Sequence, residues 1–274
     1  RYLLRRPLAE RKEGVVDSRR LPLVLALVPA RGGSKSLPRK NILSLRGHPL
    51  IAYSIAAGLA AQGVSRLVVS TDDPEIAEVA RSYGAEVPFL RPPALAQDDT
   101  MDFPVVEHAL AFLEAHDGFR PAVVVQLRPT SPLRPVDLVD RGLEVLARHP
   151  DADSARAVIP SGQNPYKMWR PVEGGRIVPL LQDGSPEPYN RPRQQLPATF
   201  WQTGHLDVIR VETIRGQRSL TGDRVYPISV DPEYAVDIDT PRDLARAEEL
   251  LRQGRDVLVR PTAPRANRKG REAT

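Results

Sequence analysis

Between residues 21 and 150, short apolar runs alternate with segments whose apolar residues recur at helical spacing. That alternation confines the chain to an α/β fold with a mainly parallel sheet covered by helices on both faces. Residues 23–28, 66–70, 87–90 and 122–127 read as strands. Residues 49–62, 74–83, 102–116 and 136–148 read as helices, with Gly84 placed to end the second. The pattern resumes with strands at 155–159, 205–209, 225–230 and 234–238, a helical piece near 211–215 and a closing helix at 241–251. Between about 160 and 203 Pro and Gly are dense, and the charged stretches P-Y-K-M-W-R and E-P-Y-N-R-P-R-Q-Q-L-P cannot build a core. This part reads as an arm leaving the sheet.

The first strand stops at Pro29 and runs into A-R-G-G-S-K-S-L-P-R-K-N, which carries Arg31, Lys35, Arg39 and Lys40 and no acid. Gly32 and Gly33 are free to adopt backbone angles closed to other residues and to turn N–H groups toward an anion. In open α/β sheets ligands bind at the carboxyl ends of strands, so the loop reads as a cradle for a nucleoside triphosphate. A solvated turn is the plainer alternative. Neither G-x-x-x-x-G-K-[ST] nor G-x-G-x-x-G is present.

Charge placement excludes other functions. The net charge is +5, but residues 1–20 carry +4 and residues 252–274 carry +5, which leaves −4 for the body. A nucleic-acid binder needs its basic stripe on the folded domain, and aromatic residues are only 5%. Nucleic acid is therefore not the expected partner. With no cysteine, disulfides, thiolate catalysis and cysteine metal sites are ruled out. No apolar run would span a bilayer, and R-Y-L-L-R-R-P-L lacks a signal-peptide core, so a cytoplasmic protein is expected. The chain thus divides into a basic extension (1–20), a folded body (21–251, with the arm at about 160–203) and a basic, disordered tail (252–274).

V-D-I-D-T-P places Asp237 and Asp239 at i and i+2, on one face of a strand. Like charges side by side call for a cation, and Mg²⁺ is held by one or two carboxylates together with substrate phosphates. Alternatively, Asp239 caps the helix that starts at Pro241. Q-L-R-P-T-S-P-L-R, residues 126–134, forms a stiff, hydroxyl-rich, basic turn after the apolar strand. In S-T-D-D-P, Asp72 or Asp73 caps the following helix.

P-A-R-G-G-S-K with P-R-K-N, then S-T-D-D, L-R-P-T-S-P-L-R, R-P-R-Q-Q-L-P and V-D-I-D-T, in this order from about residue 23 to 251, resemble the acylneuraminate cytidylyltransferases, the CMP-sialic acid synthetases. The resemblance implies a Rossmann-like nucleotidyltransferase fold with an inserted dimerisation arm, a homodimer, and CTP and Mg²⁺ as requirements. It implies transfer of CMP from CTP to the anomeric hydroxyl of a nonulosonic acid sugar, with release of pyrophosphate. By matching motifs it assigns Ala30, Arg31, Gly32, Gly33, Ser34, Lys35, Lys40, Asn41 and Arg91 to the nucleotide, with Arg31, Lys35 and Lys40 acting on its phosphates. Asp237 and Asp239 go to the metal. Arg128, Thr130 and Ser131, with Lys167, Arg193 and Gln194 of the arm, go to the sugar. Three positions depart from the family pattern: Arg128 stands where a Gln is frequent, Leu220-Thr221 where an aromatic pair occurs, and His205 where a small residue occurs. These departures leave the sugar open. A CMP-Kdo synthetase, a sugar-1-phosphate nucleotidyltransferase and a non-catalytic nucleotide-binding or scaffolding protein are the alternatives.

Overall fold

The computed structural model describes residues 23–34, 36–253, 257–262 and 264. In chain order its elements are β1 (Val24–Pro29), β2 (Ser44–Leu45), β3 (His48–Pro49), α1 (Leu50–Ala60), β4 (Arg66–Ser70), α2 (Pro74–Ser82), α3 (Asp102–Asp117) and β5 (Val123–Gln126). There follow α4 (Leu138–Arg148), β6 (Ser154–Pro160), β7 (Trp169–Pro171), β8 (Ile177–Pro179), β9 (Phe200–Arg210), α5 (Val211–Gly216), β10 (Val225–Ser229) and α6 (Pro241–Arg252). Six strands form one sheet in the order β10-β6-β9-β5-β1-β4. β1 pairs in parallel with β4 and β5, and β10 with β6. β9 runs antiparallel to both of its neighbours, β5 and β6.

β1 shows why the sheet needs two covers. Val24, Ala26 and Val28 enter one core while Leu25 and Leu27 enter the other, as the two-residue period of a strand demands. Burying each such Val or Leu side chain contributes about 1.5–3 kcal/mol. Helices α1, α2, α4 and α6 cover the first face; α3 and α5 cover the second. Gly142 brings α4 close to the sheet: a Cβ there would stand 2.7 Å from Leu206 Cδ2 and 2.8 Å from Val208 Cγ2.

Three expectations are corrected. Residues 87–90 form no strand; Glu86 alone bridges to Val68, because Pro88 lacks the N–H a ladder needs. Residues 234–238 are not a strand either: a 3-10 turn, Pro232–Tyr234, leads into extended chain whose Ile238 N–H donates to Thr130 O (2.8 Å). The tail does not begin at 252. Leu258 and Val259 are buried, Val136 N–H donates to Val257 O (2.9 Å) and Val259 N–H to Arg134 O (2.8 Å). Residues 1–20 lie outside the described residues, as do 265–274. The strand expected at 205–209 extends to Phe200–Arg210, since residues 200–202 pair with β6 again beyond a register shift. The arm leaves at the end of β6, holds the β7–β8 hairpin, and returns at β9. Among the described residues no helix is long and apolar enough to cross a membrane.

Candidate active site

β1 and β5 pair in parallel, and beyond their carboxyl ends lies a cleft of about 480 Å³ lined by Pro29 and by the turn that follows β5. Arg31, Gly33, Ser34, Lys40 and Asn41 of the first loop line it, with Arg91, Asp102, Arg128, Thr130 and Asp239. Ala30 is buried at the root of the loop, its N–H donating to Ser70 O (2.9 Å). Lys35 lies outside the described residues.

The glycines act otherwise than expected. Neither Gly32 nor Gly33 has a positive φ. Gly32 is required for close approach, since a Cβ there would stand 2.7 Å from Asp73 Oδ2. Its N–H donates to Asp72 Oδ1 (2.9 Å) instead of facing the cleft. Asp73 caps α2, accepting from Glu75 N–H and Ile76 N–H. Arg39, the fourth cation of the loop, turns away and pairs with Asp73 and Glu75. That pairing, above all the hydrogen bond from Arg39, holds the Asp73 carboxyl below the usual range.

The remaining cations of the first loop that are described meet carboxylates across the cleft. Lys40 Nζ lies 2.8 Å from Asp239 Oδ1, a contact between residues 199 apart in sequence. Arg31 lies 3.1 Å from Asp98 and donates to Gln97 O (2.7 Å), while Asn41 Nδ2 ties the loop back by donating to Arg31 O (2.8 Å). Asp239 does not cap α6; Thr240 does, in a reciprocal capping box with Asp243. Asp237 and Asp239 are both exposed while Val236 and Ile238 are buried. Asp239 lines the main cleft, and Asp237 lines an adjacent hollow of about 170 Å³, where Ser131 Oγ lies at 3.4 Å. Among the described residues no three His, Cys, Asp or Glu converge on one point. Each carboxylate is an exposed oxygen donor of the kind a hard cation takes together with substrate and water oxygens, though the two line different hollows and Asp239 is paired with Lys40.

The second half of the cleft is built on arginines. Arg91 is buried, and its guanidinium donates to Ser70 O (3.0 Å) and Leu95 O (3.3 Å), while Nε has no partner. Burial holds its pKa below the usual arginine value. Arg128 donates to Asp207 Oδ2 (2.6 Å) and Asp102 Oδ2 (2.7 Å). Desolvation lowers its pKa, but the two carboxylates outweigh that and raise it. Behind them Arg134 is fully buried, donating to His205 O (2.7 Å), Ser54 Oγ (3.0 Å) and Arg128 O (2.5 Å). Burial pushes its pKa down to about 9, so it stays charged at neutral pH. His205 is held at about 3 by burial and then by Arg134, and its neutral ring donates from Nε2 to Tyr234 O (3.0 Å). These contacts join the 128–134 turn, β9 and the 234–239 segment into one rigid support.

Lys167, Arg193 and Gln194 are not brought to this cleft. Lys167 Nζ donates to Tyr189 O (2.9 Å) within the arm, and Arg193 donates to Ser161 O (3.1 Å). Arg193 and Gln194 line a separate hollow of about 580 Å³ at the arm's base. Sequence reasoning missed Asp98, Asp102, Asp207 and the structural role of Arg134. Asp102 had one legible signal, an acid in the first turn of a helix. Asp207 had none, since a lone acid in an apolar strand does not announce its partners.

Compared with known proteins, a family model described as Cytidylyltransferase matches residues 25–261. A CMP-N,N'-diacetyllegionaminic acid synthase of Legionella pneumophila is 33% identical over 241 residues, covering 86% of this chain and 99% of that protein. An N-acylneuraminate cytidylyltransferase of Oncorhynchus mykiss is 31% identical over 260 residues, covering 93% of this chain and 57% of that protein. Among solved structures, CMP:2-keto-3-deoxy-manno-octonic acid synthetase complexed with CTP shares the fold, with a TM-score of 0.60 at 17% identity over 84% of this chain and 99% of that one.

Proposed function

The chain belongs to the cytidylyltransferase family, and on that premise we propose that it transfers CMP from CTP to the anomeric hydroxyl of a nonulosonic acid sugar. The hydroxyl gives up its proton to solvent as its oxygen forms a bond to the α-phosphorus, the bond from that phosphorus to the bridging oxygen breaks, and pyrophosphate leaves. One observation carries the reading: Arg31 and Lys40 of the first loop line one cleft with Asp239 beyond the carboxyl ends of β1 and β5, and Lys40 pairs with Asp239 although 199 residues separate them. The relatives' substrates supply the sugar class.

In this reading Arg31, Lys35 and Lys40 stabilise the charge that grows on the leaving pyrophosphate. Losing one such charge-assisted contact costs about 1.5–3 kcal/mol, roughly ten- to a hundredfold in rate. Ala30, Gly32, Gly33, Ser34, Asn41 and Arg91 shape the nucleotide site. Much of the remaining acceleration comes from holding both substrates together. Asp237 and Asp239 would hold Mg²⁺, which when bound supplies positive charge beside the phosphate. Arg128, Thr130 and Ser131 face the sugar.

We infer a homodimer formed through the arm. Trp169, Ile177, Leu180, Leu181, Phe200 and Trp201 are all exposed on or beside it, and large apolar surface of this kind marks an interface. Lys167, Arg193 and Gln194 would then serve the sugar site of the opposing copy. A cytoplasmic location suits an enzyme fed with CTP.

The test is a pyrophosphate-release screen with CTP against sialic, legionaminic, pseudaminic and Kdo-type acids. Turnover with a nonulosonic acid is expected, abolished by chelation, restored by Mg²⁺ and strongly reduced in Asp237→Asn. No turnover with any of these sugars overturns the reading. Full activity of Asp237→Asn without added metal removes the acidic pair from it.

A further inference from the structure

Strand register builds a polar row at the end of the sheet. Gln126 on β5 and Arg156 on β6 both stand opposite Asp207 on β9, the strand that runs antiparallel between them. Asp207 is 1% exposed, and both of its oxygens are engaged: Oδ1 accepts from Arg156 Nε (2.6 Å) and Oδ2 from Arg128 Nη1 (2.6 Å). The other arm of the Arg128 fork is held by Asp102 Oδ2 (2.7 Å), which also accepts from Gln126 Nε2 (2.8 Å). Arg156 is steadied in turn by Gln202 Oε1 (3.0 Å) and Thr221 Oγ1 (3.2 Å). Arg128 and Asp102 line the cleft.

The Arg128 fork is already paired with two carboxylates, Asp102 and Asp207, the second shared with Arg156, while the charged Arg134 lies buried behind it, bonded to Arg128 O and outside the cleft lining. On the cleft side the fork therefore offers a sugar carboxylate little unpaired charge. It offers directional N–H donors, the hydrogens of Arg128 left over from its two bonds, on a planar group already fixed at both arms. A fork held in this way loses little freedom when it binds.

We propose that Asp207 is a positioning residue that sets Arg128 as a fixed donor fork for an uncharged oxygen of the acid sugar, a hydroxyl or an acylamino carbonyl, and not for its carboxylate. The inference rests on the functional reading above and names the specificity element within it. A site built to donate hydrogen bonds rejects analogues that lack the matching acceptor, because its buried polar groups are then left unpaired.

The test is a double-mutant cycle on the full chain, with pyrophosphate release measured at saturating CTP and varied acid sugar. Asp207→Asn and Arg128→Gln are each expected to raise KM for the acid sugar about tenfold, with kcat and KM for CTP within about twofold. The double variant is expected to be no worse than Arg128→Gln alone, because Asp207 acts through Arg128. Deoxy and deacylated analogues form a second arm: at least one should raise KM about tenfold in the wild type but not in Arg128→Gln. If Asp207→Asn does not fold, Asp102→Asn releases the other arm of the fork from its exposed side and completes the same cycle. Multiplicative effects in the cycle, equal rises in both KM values, or an Arg128→Gln variant that discriminates among analogues as the wild type does would each overturn the inference alone. A wild type inactive with every acid sugar overturns the functional reading and this inference with it.

Discussion

Gly32 and Gly33 are adjacent and chemically identical, yet the structure separates them. A side chain at Gly32 meets the cap of α2, with Asp73 Oδ2 at 2.7 Å and Asp73 Cβ at 2.9 Å, while a side chain at Gly33 meets nothing within 4 Å. Gly32→Ala must displace Asp73 or the loop and should cost about 1–3 kcal/mol, as overpacking does, and raise KM for CTP. Gly33→Ala should leave the urea midpoint unchanged. Equal midpoints for the two variants would sink this account. The sequence shows a glycine pair and suggests φ freedom. It does not show that the reason is one close neighbour 41 residues along the chain. Arg39 teaches the same lesson, being legible as a cation while its partners Asp73 and Glu75 are fixed by the fold.

At the scale of elements, helix ends and short loops carry the site. Asp73 holds the start of α2 and also receives Arg39, so Asp73→Ala should lose the cap, about 0.5–2 kcal/mol, and loosen the loop that carries Lys40. Denaturation together with CTP kinetics checks both halves. On the far side, Asp153 accepts from Asp223 N–H (3.0 Å), Arg224 N–H (2.8 Å) and Gln217 Nε2 (3.0 Å), pinning the 217–224 loop. The bonds from Arg224 come first among the causes that lower its pKa to about 2. A carboxyl with a depressed folded pKa stabilises the fold above its unfolded value, near 3.9. That contribution fades as pH falls from about 4 through 2. The stability difference between wild type and Asp153→Asn should therefore shrink over that window and stay constant above it; a constant difference down to pH 2 would contradict the assignment. Helices and parallel strands were legible because their periods are local. The strand expected at 87–90 was not there because Pro88 breaks the ladder. The 234–238 segment pairs with the 128–134 turn, a contact no local pattern encodes.

At the scale of the whole molecule, the proposed homodimer puts the exposed apolar residues of the arm at its interface. Light scattering of the full chain should give a dimer mass, and Trp201→Glu together with Trp169→Glu should give a monomer. If the double variant remains dimeric, the interface lies elsewhere. The cleft takes Arg31 and Lys40 from the first loop and Arg91 and Arg128 from two other loops. By itself the sequence determined the α/β class and placed a cation-rich loop after its first strand, because strand period, helix period and loop chemistry are written over a few neighbouring residues. Only the tertiary structure decided which charges face one another: Lys40 against Asp239, Arg39 withdrawn to Asp73, and Arg128 neutralised between Asp102 and Asp207. The reason is physical. Ion pairs at 2.6–2.8 Å are short-range contacts between residues far apart in the chain, and only strand order and register bring them within reach.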